Sequence, residues 1–353
     1  MSTWFGMTPE HLIGLVTVLV LAASSLCLLL AAGAIGLRMK NALVAARWER
    51  SAVEWEPLVL EVLAGELPPE TLLARVTPRD AEFFLDYLAR FGRHLKGVEL
   101  ARIEALARPF LGEILADLRA ASAETRARAL HLLGVLGGAA NARHLLRALD
   151  DPAPLVGLTA ARALTRHLEP SHVEAVVANL HRFRHWRPAF LSAMLAALGA
   201  DAAPVLRWAL GDRNVPAGVR AVVADALAQL ADAAASDVAA AIADRESDPE
   251  LLAACLRLLA RAGHGDHLPP VRRLANSPQP IIRIAAYRAL AVLAEAADAP
   301  LLERGLADSS IWVAEHAARG LAASPWRERL RGLDSADPAR LALAREALAE
   351  AGF

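Results

Sequence analysis

Apolar positions follow two different patterns along this chain. From Leu12 to Leu37 there are 26 consecutive residues without a charge, LIGLVTVLVLAASSLCLLLAAGAIGL. Beyond that run, leucine, valine and alanine recur at helical spacing in short stretches parted by Gly, Pro and Asp. Alternation of the strand type is lacking, and aromatics make up only 5% of the residues. Alanine and leucine are strong helix formers, whereas strands favour β-branched and aromatic side chains. The predicted class is all-α.

The uncharged run is long enough for a transmembrane helix, since a bilayer core of ~30 Å takes about 20 helical residues. A cleavable signal peptide would carry a basic start and a shorter apolar core. Residues 1–11 hold only Glu10 and His11 among ionisable side chains. A lipoprotein signal needs a small residue before its cysteine, and Cys27 follows Leu26. Arg38, Lys40, Arg47 and Arg50 come directly after the run, so the positive-inside rule puts the N-terminus outside and residues 38–353 in the cytoplasm. Trp4, Phe5 and Trp48 suit interfacial anchoring, and Ala32 and Gly36 form a small-xxx-small pair. The predicted divisions are a short outer tail (1–11), the span (12–37), a juxtamembrane and helical cap region (38–121) and a repeat array (122–353).

The array carries a period near 31. An alanine-rich helix ends in a two-residue signature whose second member is Leu133, Leu164, Leu198, Leu227, Leu259, Leu290, Leu321 and Leu348, at spacings of 31, 34, 29, 32, 31, 31 and 27. Shorter second helices are predicted at 141–149, 171–180, 203–210, 236–243, 270–275, 299–306 and 326–333. Asp151-Pro152, Asp248-Pro249 and Asp337-Pro338 read as helix starts, a capping carboxylate followed by proline at the first turn. Pairs this short bury their apolar faces only by stacking. Within 51–121, helices are predicted near 52–64, 79–93, 97–107 and 110–120. A stripe of Phe83, Phe84, Tyr87, Leu88 and Phe91 is expected to close the N-terminal end of the array, and the last helix the other end.

The period, the D-P and D-x turns, the V-R/I-R pair and the terminal A-L together resemble HEAT-like repeats of the short bacterial, PBS-lyase type, over about residues 122–353. The resemblance implies an α-solenoid of about seven helix pairs plus end caps, and an arginine–aspartate ladder between repeats. Arg126, Arg220 and Arg283 occupy the ladder position; Gly157, Leu191, Leu252 and Ala314 depart from it, so the ladder is expected to be incomplete.

Charge and cysteine remove several function classes. All 38 Lys and Arg lie beyond residue 37, against 38 of the 39 acids (Glu10 is the other), a formal zero that gives no field for nucleic acid. Cys27 and Cys255 form no disulfide framework or CxxC site. Gly263-His264-Gly265-Asp266-His267 is expected to be a polar turn, because no second cluster in the sequence visibly completes a metal shell. Helical-repeat hydroxylases carry His-Glu dipeptides, and none occurs here; Glu315-His316 is the reverse order. No nucleophile–base arrangement or phosphate loop stands out. No cofactor and no metal are expected.

Two groups of residues remain as candidates for binding protein partners. Arg182, Arg184, Trp186 and Arg187 lie in a basic-aromatic stretch at the longest repeat spacing. It reads either as a binding loop or as an irregular turn with Trp186 and Phe190 in the core. Arg147, Arg272, Arg304 and Arg331, with Trp208, recur two residues before the last leucine of the second helices and should face outward. They form a basic stripe or simply a solvated face. The expected function is a membrane-anchored scaffold or accessory subunit; the alternative is an enzyme or accessory subunit of bilin-lyase-like kind, holding a small ligand in its groove.

Overall fold

The computed structural model describes residues 9–166, 169–323, 326–331 and 338–352. Trp4, Phe5 and Asp337 lie outside them. The chain divides into two compact units, up to Pro109 and from Phe110 onward. Among the described residues there is no strand.

In the first unit, the apolar run and the predicted 52–64 helix are one continuous helix, α1 (Pro9–Ala64). Residues 38–56 contain neither Gly nor Pro, so nothing in the sequence stops the helix after the apolar run. Pro57 lies within α1 and leaves unmade the bond its N–H would have donated. The apolar half presents bare side chains, with Leu28 72% and Leu37 62% exposed, while Trp55, Val59 and Val62 are buried. This is one helix long and apolar enough to cross a membrane. Three short helices pack beside its second half: α2 (Pro69–Leu73), α3 (Ala81–Gly92) and α4 (Gly97–Ala107). The aromatic stripe of α3 turns onto α1, with Phe84 and Tyr87 at 5.1 and 5.9 Å from the Trp55 ring. Trp48 packs within this unit: its ring lies 5.8 Å from Tyr87 and under the Arg90 guanidinium at 4.3 Å.

The second unit opens with α5 (Leu111–Asp117) and continues as helix pairs: α6 (Ala123–Leu136) with α7 (Ala142–Ala148), α8 (Pro154–Leu164) with α9 (Pro170–Asn179), α10 (Pro188–Ala196) with α11 (Ala203–Gly211), α12 (Ala217–Gln229) with α13 (Ser236–Arg245). Then follow α14 (Pro249–Ala262) with α15 (Leu268–Leu274), α16 (Pro280–Leu293) with α17 (Ala299–Leu306), α18 (Ile311–Ala322) with α19 (Arg327–Arg331), and a closing α20 (Pro338–Glu350). The signature leucines from Leu133 to Leu321 are all buried. First helices stack on first helices, α12 on α14 on α16 on α18. Small residues set the approach: a Cβ added at Gly134 would stand 2.3 Å from the Ala163 Cβ. Asp248 caps α14 as expected, accepting the Leu251 amide at 2.9 Å ahead of Pro249. Asp151 does otherwise: α8 starts at Pro154, and Asp151 instead accepts the Ala153 amide within the turn.

Candidate binding surface

Before any cation counts as available to a partner, those that hold the array together must be set aside. Arg126 makes a double bond pair to Asp151, 2.9 Å on each oxygen, and donates to the Ala120 and Ala121 carbonyls. Arg283 repeats the arrangement with Asp308 and the Ser277 and Pro278 carbonyls. Arg220, nearly buried, reaches the Leu210 carbonyl and Glu246. Arg126 and Arg283 each tie one repeat to the next through a guanidinium fork, the strongest geometry for such a pair, whereas Arg220 reaches its acid through one N–H at 3.3 Å. The hydrogen bonds from Arg126 and Arg283 hold Asp151 and Asp308 below the usual carboxylate range, against the opposing effect of burial.

At three of the four places where the ladder position lacks arginine, another arginine takes over the carbonyls. Gly157 occupies that place in α8, and Arg182 from the following pair donates to the backbone oxygens of Leu149, Asp150 and Asp151. Leu252 and Ala314 are matched in the same way by Arg273 on the Ala243 carbonyl and Arg340 on the Ala307 carbonyl. These are the free carbonyls at the ends of second helices, where a cation also meets the negative end of the helix dipole.

Arg182 is therefore a structural residue. Its neighbour Phe183 is buried, and the Phe183 ring lies 3.1 Å from where a Cβ on Gly157 would be. The 3-10 turn Leu180–Phe183 touches α8 and α12, and α8 makes little contact with α10. The core aromatic of the irregular turn is thus Phe183. Trp186 is half-buried and stacks on the exposed Phe190 at 5.7 Å. Arg184, His185 and Arg187 are exposed, and among the described residues no ion pair engages Arg184 or Arg187.

The predicted stripe divides likewise. Arg272 is held by Asp298 at 2.6 Å and Glu295 at 3.0 Å, and Arg331 by Glu328 in its own helix at 2.7 Å. Arg147 and Arg304 are exposed without an ion pair among the described residues, and Trp208 is 62% exposed. The structure adds a cleft the sequence did not reveal, of about 420 Å³, lined by Arg213, Arg220, Val238, Arg245 and Glu246. Glu246 is kept below its usual range first by the Ser247 amide, against burial, then by the Asp248 amide and Arg220. Cys255 is buried and its thiol is pushed up to about 12 by burial, so it offers no nucleophile.

The Gly263–His267 turn is polar, as expected, but it does not stand alone. Asp237, one repeat earlier, accepts from or shares a proton with His267 Nε2 at 2.9 Å. The His264 amide donates to His267 Nδ1 at 3.2 Å. Thirty residues of separation hid this contact from the sequence.

Residues 236–322 match the family of HEAT repeats. These are α13 through α18, and over this segment the chain is similar to HEAT repeats. Among solved structures, the complex of CpcE and CpcF of phycocyanin lyase from Nostoc sp. PCC7120 is similar at 20% identity over 69% of this chain and 88% of that chain, with a TM-score of 0.33. Kap121p is 14% identical over 85% of this chain and 39% of its own, TM-score 0.43. Importin beta is 14% identical over 84% and 49%, TM-score 0.44. No curated protein matches the chain.

Proposed function

We propose that this chain is a single-pass protein of a bacterial inner membrane, with its N-terminus outside and residues 38–353 forming a cytoplasmic scaffold for protein partners. The reading of the span rests on the bare apolar half of α1 and the four basic residues that follow it. The docking reading rests on one observation: after the internal ladder has claimed its arginines, the Arg184–Arg187 turn still presents exposed cations beside the Trp186–Phe190 pair. Arginine and tryptophan are the types that dominate binding energy at interfaces. Arg147, Trp208 and Arg304 extend the candidate surface along the second helices. Partners with acidic surfaces complement it.

A reporter fused to the C-terminus tests the topology. Activity on the cytoplasmic side is the expected result, and activity on the outer side would contradict it. The cleft of about 420 Å³ with Arg213, Arg220 and Arg245 favours a second reading, an accessory subunit holding a small anion. Native mass spectrometry of the chain released from detergent would then show a stoichiometric added mass.

A further inference from the structure

Asp237, His264 and His267 bring one carboxylate and two imidazoles to a single point, with one potential ligand atom from each within 4.8 Å of the others. His267 is almost fully buried and fixed in orientation by the His264 amide on Nδ1, so its Nε2 faces the Asp237 carboxylate at 2.9 Å. Neighbouring ligands of a tetrahedral zinc ion stand about 3.4 Å apart, so this pair needs only a small adjustment. The His264 ring is 59% exposed and lies 3.9 Å from the His267 ring, where rotation brings a nitrogen to the same point.

The flanking junctions show what is missing here. In both, an arginine on a second helix reaches an acid in the turn of the next pair: Arg207 to Asp232 at 3.0 Å, and Arg272 to Asp298 at 2.6 Å. Between them, the junction of α13 with the turn before α15 has an acid on the helix and two histidines in the turn, with no guanidinium. We propose that Asp237, His264 and His267 bind a divalent transition-metal cation of the Zn²⁺ type, which stands where the neighbouring junctions carry arginine. Two imidazoles and one carboxylate select such a cation over Mg²⁺ or Ca²⁺, and three protein ligands leave a fourth position for water. As the cation binds His267 Nε2, the proton carried there moves to Nδ1, and the His264 amide that Nδ1 had accepted, in an exposed turn, passes to water.

The test is calorimetric titration of the full chain in mild detergent, after treatment with a chelator, using Zn²⁺ and then Mg²⁺. The expected result is one Zn²⁺ per chain with a raised unfolding temperature, and no response to Mg²⁺. Asp237→Asn and His264→Ala are each expected to weaken Zn²⁺ binding about tenfold or more. His264→Ala also removes the side-chain acceptor that caps the turn at the His267 amide, so a small drop in its metal-free unfolding temperature is expected. Asp237→Asn keeps an oxygen for His267 and should match the parent, which separates lost binding from lost fold. Absence of stoichiometric binding, or parental affinity in both variants, would overturn the proposal.

Discussion

The junction between α16 and α18 and that between α8 and α10 solve the same problem differently. In the regular junction two first helices lie against each other, and Arg283 binds the turn ahead of its own helix and the acid of the next. In the irregular one, Gly157 leaves the arginine place empty, and the chain inserts Leu180–Phe183 between the layers. Phe183 fills the space and Arg182 reaches back to the orphan carbonyls. The difference teaches that the longest repeat spacing is first a packing device. Its exposed residues, Arg184 to Arg187, follow from that device by being left outside.

Perturbations of these two junctions should rank accordingly. Phe183→Ala opens a cavity at a side chain with 1% exposure and should cost about 3–5 kcal/mol in urea unfolding. Arg283→Ala breaks a double charge-assisted pair and two carbonyl bonds, costing about 2 kcal/mol by the same measurement. Arg182→Ala is expected to lower stability as well, in contrast to Arg184→Ala and Arg187→Ala, which should leave it within about 0.5 kcal/mol. The ladder also sets an acid limb. Asp151 and Asp308 have folded pKa values below their unfolded ones, so their contribution is present above the ordinary carboxylate range and is lost as pH falls through the depressed values, below about pH 4. Asp308→Asn should flatten that limb in thermal unfolding followed against pH.

One substitution should act with the opposite sign. Ala231 has φ 51° at the end of α12, where the Asp232 amide returns to the Leu227 carbonyl in the left-handed helix stop that favours glycine. Ala231→Gly should stabilise the protein by about 0.5–1 kcal/mol, read as a higher urea midpoint.

Most of the fold was legible because the buried leucines recur at a fixed period, and the structure keeps every helix pair that the period predicts. The binding surface was half legible. Helical offsets place Arg147, Arg272 and Arg304 outward, but they say nothing of which acid a neighbouring repeat supplies, and Asp298 takes Arg272 out of use. The same limit hid the Asp237–His267 contact and the reach of Arg182 to Leu149, both made across a repeat. The continuity of α1 was missed for a different reason: a change from apolar to polar residues reads as a boundary, yet a helix ends only where backbone chemistry stops it.

Paired co-purification from membranes tests the scaffold reading most directly, using the full chain in mild detergent and its Arg184→Ala/Trp186→Ala/Arg187→Ala variant at equal folded amounts. The expected result is a protein partner at near-stoichiometric level with the parent and depleted about tenfold or more with the variant, whose unfolding temperature is unchanged. Recovery of the bare chain from the parent, or equal recovery of the same partner from both, would contradict it.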